Sequence, residues 1–321
     1  MLLNLGLLAV GFVLLIKGAD IFVESNVSIA KALKVPSIVI GLTVVAFGTS
    51  MPEAVVSVSA ALGGSTDIAI GNIVGSNIFN LLGVLGLSAV IKPLTVHFKE
   101  IRTDAAISIV AAIALLGMVV LFSDYIPQVA SAGFLTVFLI YLFIMIRQAL
   151  KDRQNGDSVE NAENAETAKK SKSIGISIIL SIVGIALIIG GGQLTVVNAI
   201  EIAYALQLSE RVIGLTIVAI GTSLPELITS IVAATKGEHD IAIGNVVGSN
   251  IFNILFILGL TGVIMPLSIN MSSVVDLGVL IVSSLVFMLF AFTAKRVVRL
   301  EGAIMLALYV AYLVFIIFLQ A

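Results

Sequence analysis

Long apolar runs separated by short polar breaks set the rhythm of this chain. Ten runs are long enough to cross a bilayer as helices: 3–25, 37–62, 68–92, 103–122, 127–149, 174–198, 212–235, 241–265, 274–294 and 301–320. A helical span needs about 20 such residues, and the runs lack the alternation of ~10-residue outer-membrane barrel strands. The pattern predicts an all-α integral membrane protein of ten transmembrane helices. The first run lacks a basic start and is followed by Lys31 and Lys34, so it reads as a retained helix rather than a cleaved signal. One stretch, 150–173, is polar throughout and rich in Asn, Glu, Lys and Ser. It predicts a solvated linker between a first half, 1–149, and a second, 174–321.

Composition sharpens this. The chain is 59% hydrophobic and 11% charged, with a mean hydropathy of +1.19. A soluble globular protein is about a quarter charged, so a soluble enzyme or a nucleic-acid-binding protein is excluded. With no cysteine there are no disulfides, thiolate metal sites or thiol catalysis. The net charge of −2 says less than its placement. Loops on one side of the predicted topology hold 15 of the 17 Lys and Arg residues; the opposite loops hold Arg211, and Lys17 lies within the first span. Basic loops stay in the cytoplasm, so both termini are expected outside and the 150–173 loop inside, in a plasma (inner) membrane.

The chain also repeats itself. A shift of 173 residues aligns 11–94 with 184–267 without a gap. GLTVVAFGTSMPE at 41–53 matches GLTIVAIGTSLPE at 214–226, and DIAIGNIVGSNIFN at 67–80 matches DIAIGNVVGSNIFN at 240–253. Five spans separate the copies, an odd number, so the second copy should cross the membrane in the opposite sense. Two inverted-topology five-helix repeats are an architecture of secondary transporters, with the substrate site at mid-membrane on interrupted helices. Duplication alone explains the similarity, but not why the closest match falls on polar residues at membrane depth.

Glu53 and Glu226 fall near the middle of their spans. An intramembrane carboxylate costs ~2.5–3.5 kcal/mol even on a lenient scale and needs a partner. No Lys or Arg recurs beside them, which points to a bound cation. Pro52 and Pro225 lack an N–H for the carbonyls of Gly48 and Gly221, so each helix should unwind locally. That would leave carbonyls near Ala46–Thr49 and Ala219–Thr222 unpaired, with Ser50 and Ser223 beside them. Such oxygens suit Na⁺ and Ca²⁺. A proline kink that merely shapes packing is the plainer reading. Ser76 and Asn80, like Ser249 and Asn253, are four apart and can share a cavity. Asn72, Asn77, Asn245 and Asn250 can bridge helices, and Gly71/Gly75 and Gly244/Gly248 allow close approach. Asp67 and Asp240 are expected to cap their helices, Lys17 to pair with Asp20, and His97 and His239 to be solvated. Gly190–Gly192 could ease sliding of the sixth helix.

GTSMPE and GTSLPE, each followed by GNxVGSNIFN, resemble the paired alpha repeats of the sodium/calcium exchanger family. The resemblance spans both halves and implies a ten-helix inverted-repeat antiporter with central cation sites, no cofactor, and a monomer sufficient for transport. It implies that Glu53 and Glu226 are shared ligands of Ca²⁺ and Na⁺. Thr49 and Thr222 would offer carbonyls and Ser50 and Ser223 hydroxyls. The carbonyls of Ala46 and Ala219 with Ser76 and Ser249 would complete Na⁺ sites, and Asn80 and Asn253 would line the middle. Many relatives, potassium-dependent ones included, carry Asp where this chain has Asn253, so potassium independence is implied. A cation/proton antiporter on the same fold is the alternative, although the GNxxE-type motif usual there is absent. A passive channel and an intramembrane enzyme are weaker readings; no His or Lys base repeats beside the serines.

Overall fold

Almost every apolar run folds as a helix, because in lipid each backbone N–H and C=O must find its partner within its own segment. The structure, a computed structural model, describes residues 2–33, 35–64, 66–122, 125–155, 173–206, 219–268 and 272–319. The helices are α1 (Leu2–Leu33), α2 (Ser37–Thr49), α3 (Met51–Leu62), α4 (66–91), α5 (Phe98–Leu121), α6 (Gln128–Asn155), α7 (Ile174–Ala205), α8 (Ala219–Thr222), α9 (Leu224–Lys236), α10 (His239–Ile264), α11 (Ser272–Ala294) and α12 (Arg299–Leu319). Among the described residues, eight are long and apolar enough to span a membrane, and α2 with α3 makes a ninth when that bent pair counts as one span. The expected span 212–235 begins outside the described residues, as do Arg211 and most of the 150–173 linker.

Two boundaries differ from the sequence reading. α1 continues to Leu33 rather than ending near residue 25, because the amide of Asn26 does not break the helix. Its Nδ2 donates to the Phe22 carbonyl at 2.8 Å and to Ser181 Oγ of α7 at 3.1 Å, so the amide's donors are satisfied within the helix packing. α6 carries helix six residues into the expected linker, to Asn155.

Burial ranks the helices. In α10, 94% of the apolar stretch is buried, and in α4 83%, against 11% in α6 and 17% in α12. α4 and α10 are therefore the centre, and the poorly buried helices present their apolar side chains to lipid. α1 and α7 lie against each other through glycines: a Cβ on Gly184 would stand 2.9 Å from the Phe22 backbone, and one on Gly191 2.8 Å from the Gly11 carbonyl. Gly190, by contrast, has nothing within 4 Å. Gly244 and Gly248 receive α2 at Gly41 and Leu42 in the same way. Gly71 and Gly75 meet no described residue within 4 Å.

Two short ribbons tie the halves together. β1 (Leu94–Thr95) pairs antiparallel with β4 (Arg296–Val297), and β2 (Tyr125–Ile126) with β3 (Leu267–Ser268). Each joins a loop of the first half to one of the second. Half-buried tyrosine–aspartate bonds recur at matching places: Tyr141 to Asp104 at 2.8 Å between α5 and α6, and Tyr312 to Asp276 at 2.9 Å between α11 and α12. Neither ribbons nor pairs are evident from periodicity.

Candidate functional site

The site forms where both repeated proline motifs break their helices against α4 and α10. Ser50, with φ −82° and ψ 7°, separates α2 from α3, and the two pieces bend by 47°. Pro52 lies in the first turn of α3, where a missing N–H is tolerated. Ser223 has nearly the same conformation, φ −92° and ψ 9°, before Pro225 in α9. The break puts Glu53 and Glu226 in the first turns of α3 and α9, where a helix start favours negative charge. One expectation needs correction. The Ala46 carbonyl is not unpaired: it accepts the Ser50 N–H at 3.0 Å. The turn recovers an N–H for that oxygen.

Both carboxylates are fully buried. Their bonds cross between the halves. Ser50 Oγ donates to Glu226 Oε1 at 2.8 Å, and Ser223 Oγ donates to Glu53 Oε1 at 2.9 Å. Ser76 and Ser249 approach the same oxygens, Glu53 Oε1 at 3.5 Å and Glu226 Oε1 at 3.4 Å. Ser76 Oγ also lies 3.1 Å from Ser223 Oγ. The second oxygen of each carboxylate, Oε2, is buried without a hydrogen-bond partner. Among the described residues no Lys or Arg pairs with either glutamate.

Four asparagines form the next layer. Asn77 and Asn250 exchange bonds, each Nδ2 donating to the other's backbone carbonyl at 3.2 Å. Asn80 Nδ2 donates to Asn250 Oδ1 at 3.2 Å, and Asn253 Nδ2 to Asn77 Oδ1 at 2.8 Å. This uses one N–H of each amide and leaves Oδ1 of Asn80 and of Asn253 buried without a partner among the described residues. Asn80 and Asn253 sit one turn beyond Ser76 and Ser249, inside π-helical stretches at Phe79–Leu85 and Phe252–Leu258. Such widened turns concentrate at functional sites; nothing in the sequence reading signals them. Of the carboxylate and amide oxygens in these two layers, Oε2 of Glu53 and Glu226 and Oδ1 of Asn80 and Asn253 have no hydrogen-bond partner among the described residues. These are acceptors, and a buried acceptor left unpaired is costly. The set fits a hard cation.

A family model described as "Sodium/calcium exchanger protein" matches residues 3–147 and 176–318. The chain belongs to the sodium/calcium exchanger family. It is 36% identical to the sodium/calcium exchanger MaX1 of Methanosarcina acetivorans, an alignment covering 97% of each chain. It is 37% identical to the inner membrane protein YrbG of Escherichia coli, over 90% of this chain and 89% of that one. Among solved structures it is similar to the sodium-calcium exchanger NCX_Mj, with a TM-score of 0.82, 34% identity and 98% of each chain covered. The family is one of membrane cation exchangers that move Na⁺ and Ca²⁺, rather than of enzymes.

The structure of this exchanger brings Thr49, Ser50, Ser76, Ser223, Ser249, Asn80 and Asn253 into the buried network around the two glutamates. Thr222 is buried one residue before Ser223; Ala219 begins α8, with its side chain outside the described set. Asn245 is a member that ligand chemistry alone did not single out. It accepts the Thr49 hydroxyl at 2.9 Å and donates to Ser230 at 2.9 Å and the Glu226 carbonyl at 3.3 Å, so it bridges helices. Its repetition at Asn72, which donates to Ser57 at 3.1 Å, was the available signal.

Other expectations change. Asp240 does not cap its helix: Glu238 holds that position, and Asp240 instead meets His97 Nδ1 at 2.9 Å, so His97 is partnered rather than merely solvated. The Asp67 side chain lies outside the described residues. Asp20 pairs not with Lys17 but with Lys236, which also binds Glu24 at 2.8 Å and donates to the Asp20 carbonyl at 3.3 Å. Sequence spacing favoured the local partner; packing of α9 on α1 supplied a distant one.

Proposed function

We propose that this chain is an antiporter exchanging Na⁺ for Ca²⁺ by alternating access, three for one, electrogenic and independent of K⁺. The observation that carries it is the set of four buried, unpartnered oxygens on Glu53, Glu226, Asn80 and Asn253. Glu53 and Glu226 are the shared ligands. Thr49, Ser50, Thr222, Ser223, Ala46, Ala219, Ser76 and Ser249 supply hydroxyls and carbonyls around them, and Asn80 and Asn253 line the middle.

In this reading ten helices form two five-helix repeats of opposite sense, 1–149 and 174–321, joined by the cytoplasmic linker 150–173. The termini lie outside a plasma membrane, and one chain suffices for transport. The crossed serine bonds and the ribbons joining opposite halves support the symmetry. The basic residues support the orientation.

Charge sets the stoichiometry. Two ionised glutamates are neutralised by one Ca²⁺, whereas three Na⁺ leave one positive charge, worth about 2.3 kcal/mol per 100 mV. A tenfold Na⁺ gradient adds about 1.4 kcal/mol per ion. Three-for-one exchange then supplies roughly 6.5 kcal/mol, enough to hold Ca²⁺ four to five decades below its outside level at about 1.4 kcal/mol per decade. An electroneutral two-for-one cycle supplies about 2.8 kcal/mol on the same scale.

The alternative is a cation/proton antiporter with the same glutamates as proton carriers. What supports Na⁺ is that a neutral carboxyl must donate its O–H, and among the described residues Oε2 of neither glutamate meets a group to receive it. The test is ⁴⁵Ca²⁺ uptake into Na⁺-loaded proteoliposomes diluted into Na⁺-free or K⁺-only buffer, with Glu226→Gln as control. Uptake that needs internal Na⁺, ignores K⁺ and vanishes in the variant is expected. Uptake driven by a proton gradient alone overturns the Na⁺ reading.

A further inference from the structure

The chain has two histidines, and both lie at one spot remote from the glutamates, where the α4–α5 connection meets the start of α10. His97 Nδ1 is 2.9 Å from Asp240 Oδ1, and one ligand atom from each of His97, Glu100 and Asp240 lies within 4.8 Å of the others. His239, next to Asp240 in the chain, is within electrostatic reach of Asp240 and His97, and its Nδ1 is buried without a hydrogen-bond partner.

The scaffold is fixed. His97 follows β1, whose pairing with β4 is extended by the Val96 N–H to the Lys295 carbonyl at 2.8 Å. The His97 carbonyl accepts the Glu100 N–H at 2.8 Å, which sets Glu100 in the first turn of α5. On the other side, Lys92 Nζ donates to the Thr235 carbonyl at 3.1 Å at the end of α9. Glu100 and Asp240 both sit in first helical turns, of α5 and α10. The backbone that carries the three residues is thus held in place, which lowers the cost of assembling a site.

We propose that His97, Glu100 and Asp240 form a second cation site, selective for a divalent transition ion of the Zn²⁺ type, with His239 as a fourth ligand after a turn of its ring. One or two imidazoles with carboxylates suit a borderline ion, whereas the oxygen set around Glu53 and Glu226 suits hard ones. The site bridges the two halves of the sequence, because His97 and Glu100 come from the first and Asp240 from the second. An ion there ties the start of α10, the helix carrying Asn245, Ser249 and Asn253, to the α4–α5 link. The site stands independently of the transport reading.

Two histidines make the test direct. The full-length chain, ring-labelled with ¹³C at histidine, gives two sets of ring signals, and His97→Gln assigns them. Zn²⁺ alone is titrated into the purified protein. The central glutamates have no histidine near them to report, so the His97 signal reads this site separately. The expected result is a saturable shift of the His97 signal at one Zn²⁺ per chain, with Glu100→Gln and Asp240→Asn each raising the required Zn²⁺ at least tenfold. A His97 signal unmoved by excess Zn²⁺, or one that moves identically in both variants, overturns the proposal.

Discussion

The hydroxyl of Ser50 donates a 2.8 Å hydrogen bond to Glu226, a carboxylate 176 residues away in the other half of the chain. Ser223 returns the arrangement to Glu53 at 2.9 Å. Each half thus holds the other's carboxylate by one oxygen and leaves the second without a hydrogen-bond partner among the described residues. Ser50→Ala removes the shorter donor from Glu226 and leaves Ser249 at 3.4 Å. A hydrogen bond to a charged group contributes about 1.5–3 kcal/mol, so half-maximal Ca²⁺ uptake should require roughly ten- to hundredfold more Ca²⁺. Ser223→Ala should cost about as much, because its bond is nearly the same length; a Ca²⁺ concentration series in proteoliposomes compares the two.

Glu53→Gln should abolish Ca²⁺-dependent stabilisation while leaving the ion-free protein at least as stable as the parent. The substitution removes a buried charge with no basic partner, and such charges destabilise the folded state. Ca²⁺ at a hundred times its Kd should stabilise the parent by about 2.7 kcal/mol. Thermal unfolding in chelator and in Ca²⁺ reads both effects. A variant that loses stability in chelator and still responds to Ca²⁺ would remove Glu53 from the site.

Gly184→Ala should destabilise the α1–α7 contact by about 1–3 kcal/mol, the usual range for overpacking. Its Cβ would press on the Phe22 backbone at 2.9 Å, which cannot turn aside as a flexible side chain would. Gly190→Ala is the control: nothing lies within 4 Å, and alanine's better helix propensity should gain up to ~1 kcal/mol. Denaturation midpoints in one detergent separate them.

Lys236→Met should cost less than about 1 kcal/mol despite breaking two ion pairs, since all three side chains are partly exposed and screened. The loss should shrink as salt is raised. A double-mutant cycle with Glu24→Gln measures the coupling, and a salt-independent loss would mean that packing rather than charge joins α9 to α1.

His97 should titrate above the ordinary histidine value in metal-free protein, because its bond to Asp240 favours the charged ring. The sign follows: the bridge contributes fully below the unfolded value near 6.5 and is lost as pH rises through the raised folded value. Asp240→Asn should bring the titration back down. Histidine ring NMR in chelator follows both, and a midpoint unchanged by the variant would contradict the bridge.

Sequence by itself determined the helical membrane character, the two related halves, the placing of Glu53 and Glu226 inside apolar spans, and the break at Pro52. Each is local or periodic: apolar run length, a shift of 173 residues, a missing N–H four residues from a carbonyl. The tertiary structure decided who meets whom. Whether Ser50 serves its neighbour Glu53 or the distant Glu226, whether Lys236 or Lys17 holds Asp20, and whether Asp240 caps its helix or meets His97 all depend on how helices pack. Local spacing offers each polar group a nearby partner. In a tightly packed helical core, the bond that forms is the one to the facing helix, and one-dimensional spacing carries no record of which helix that is.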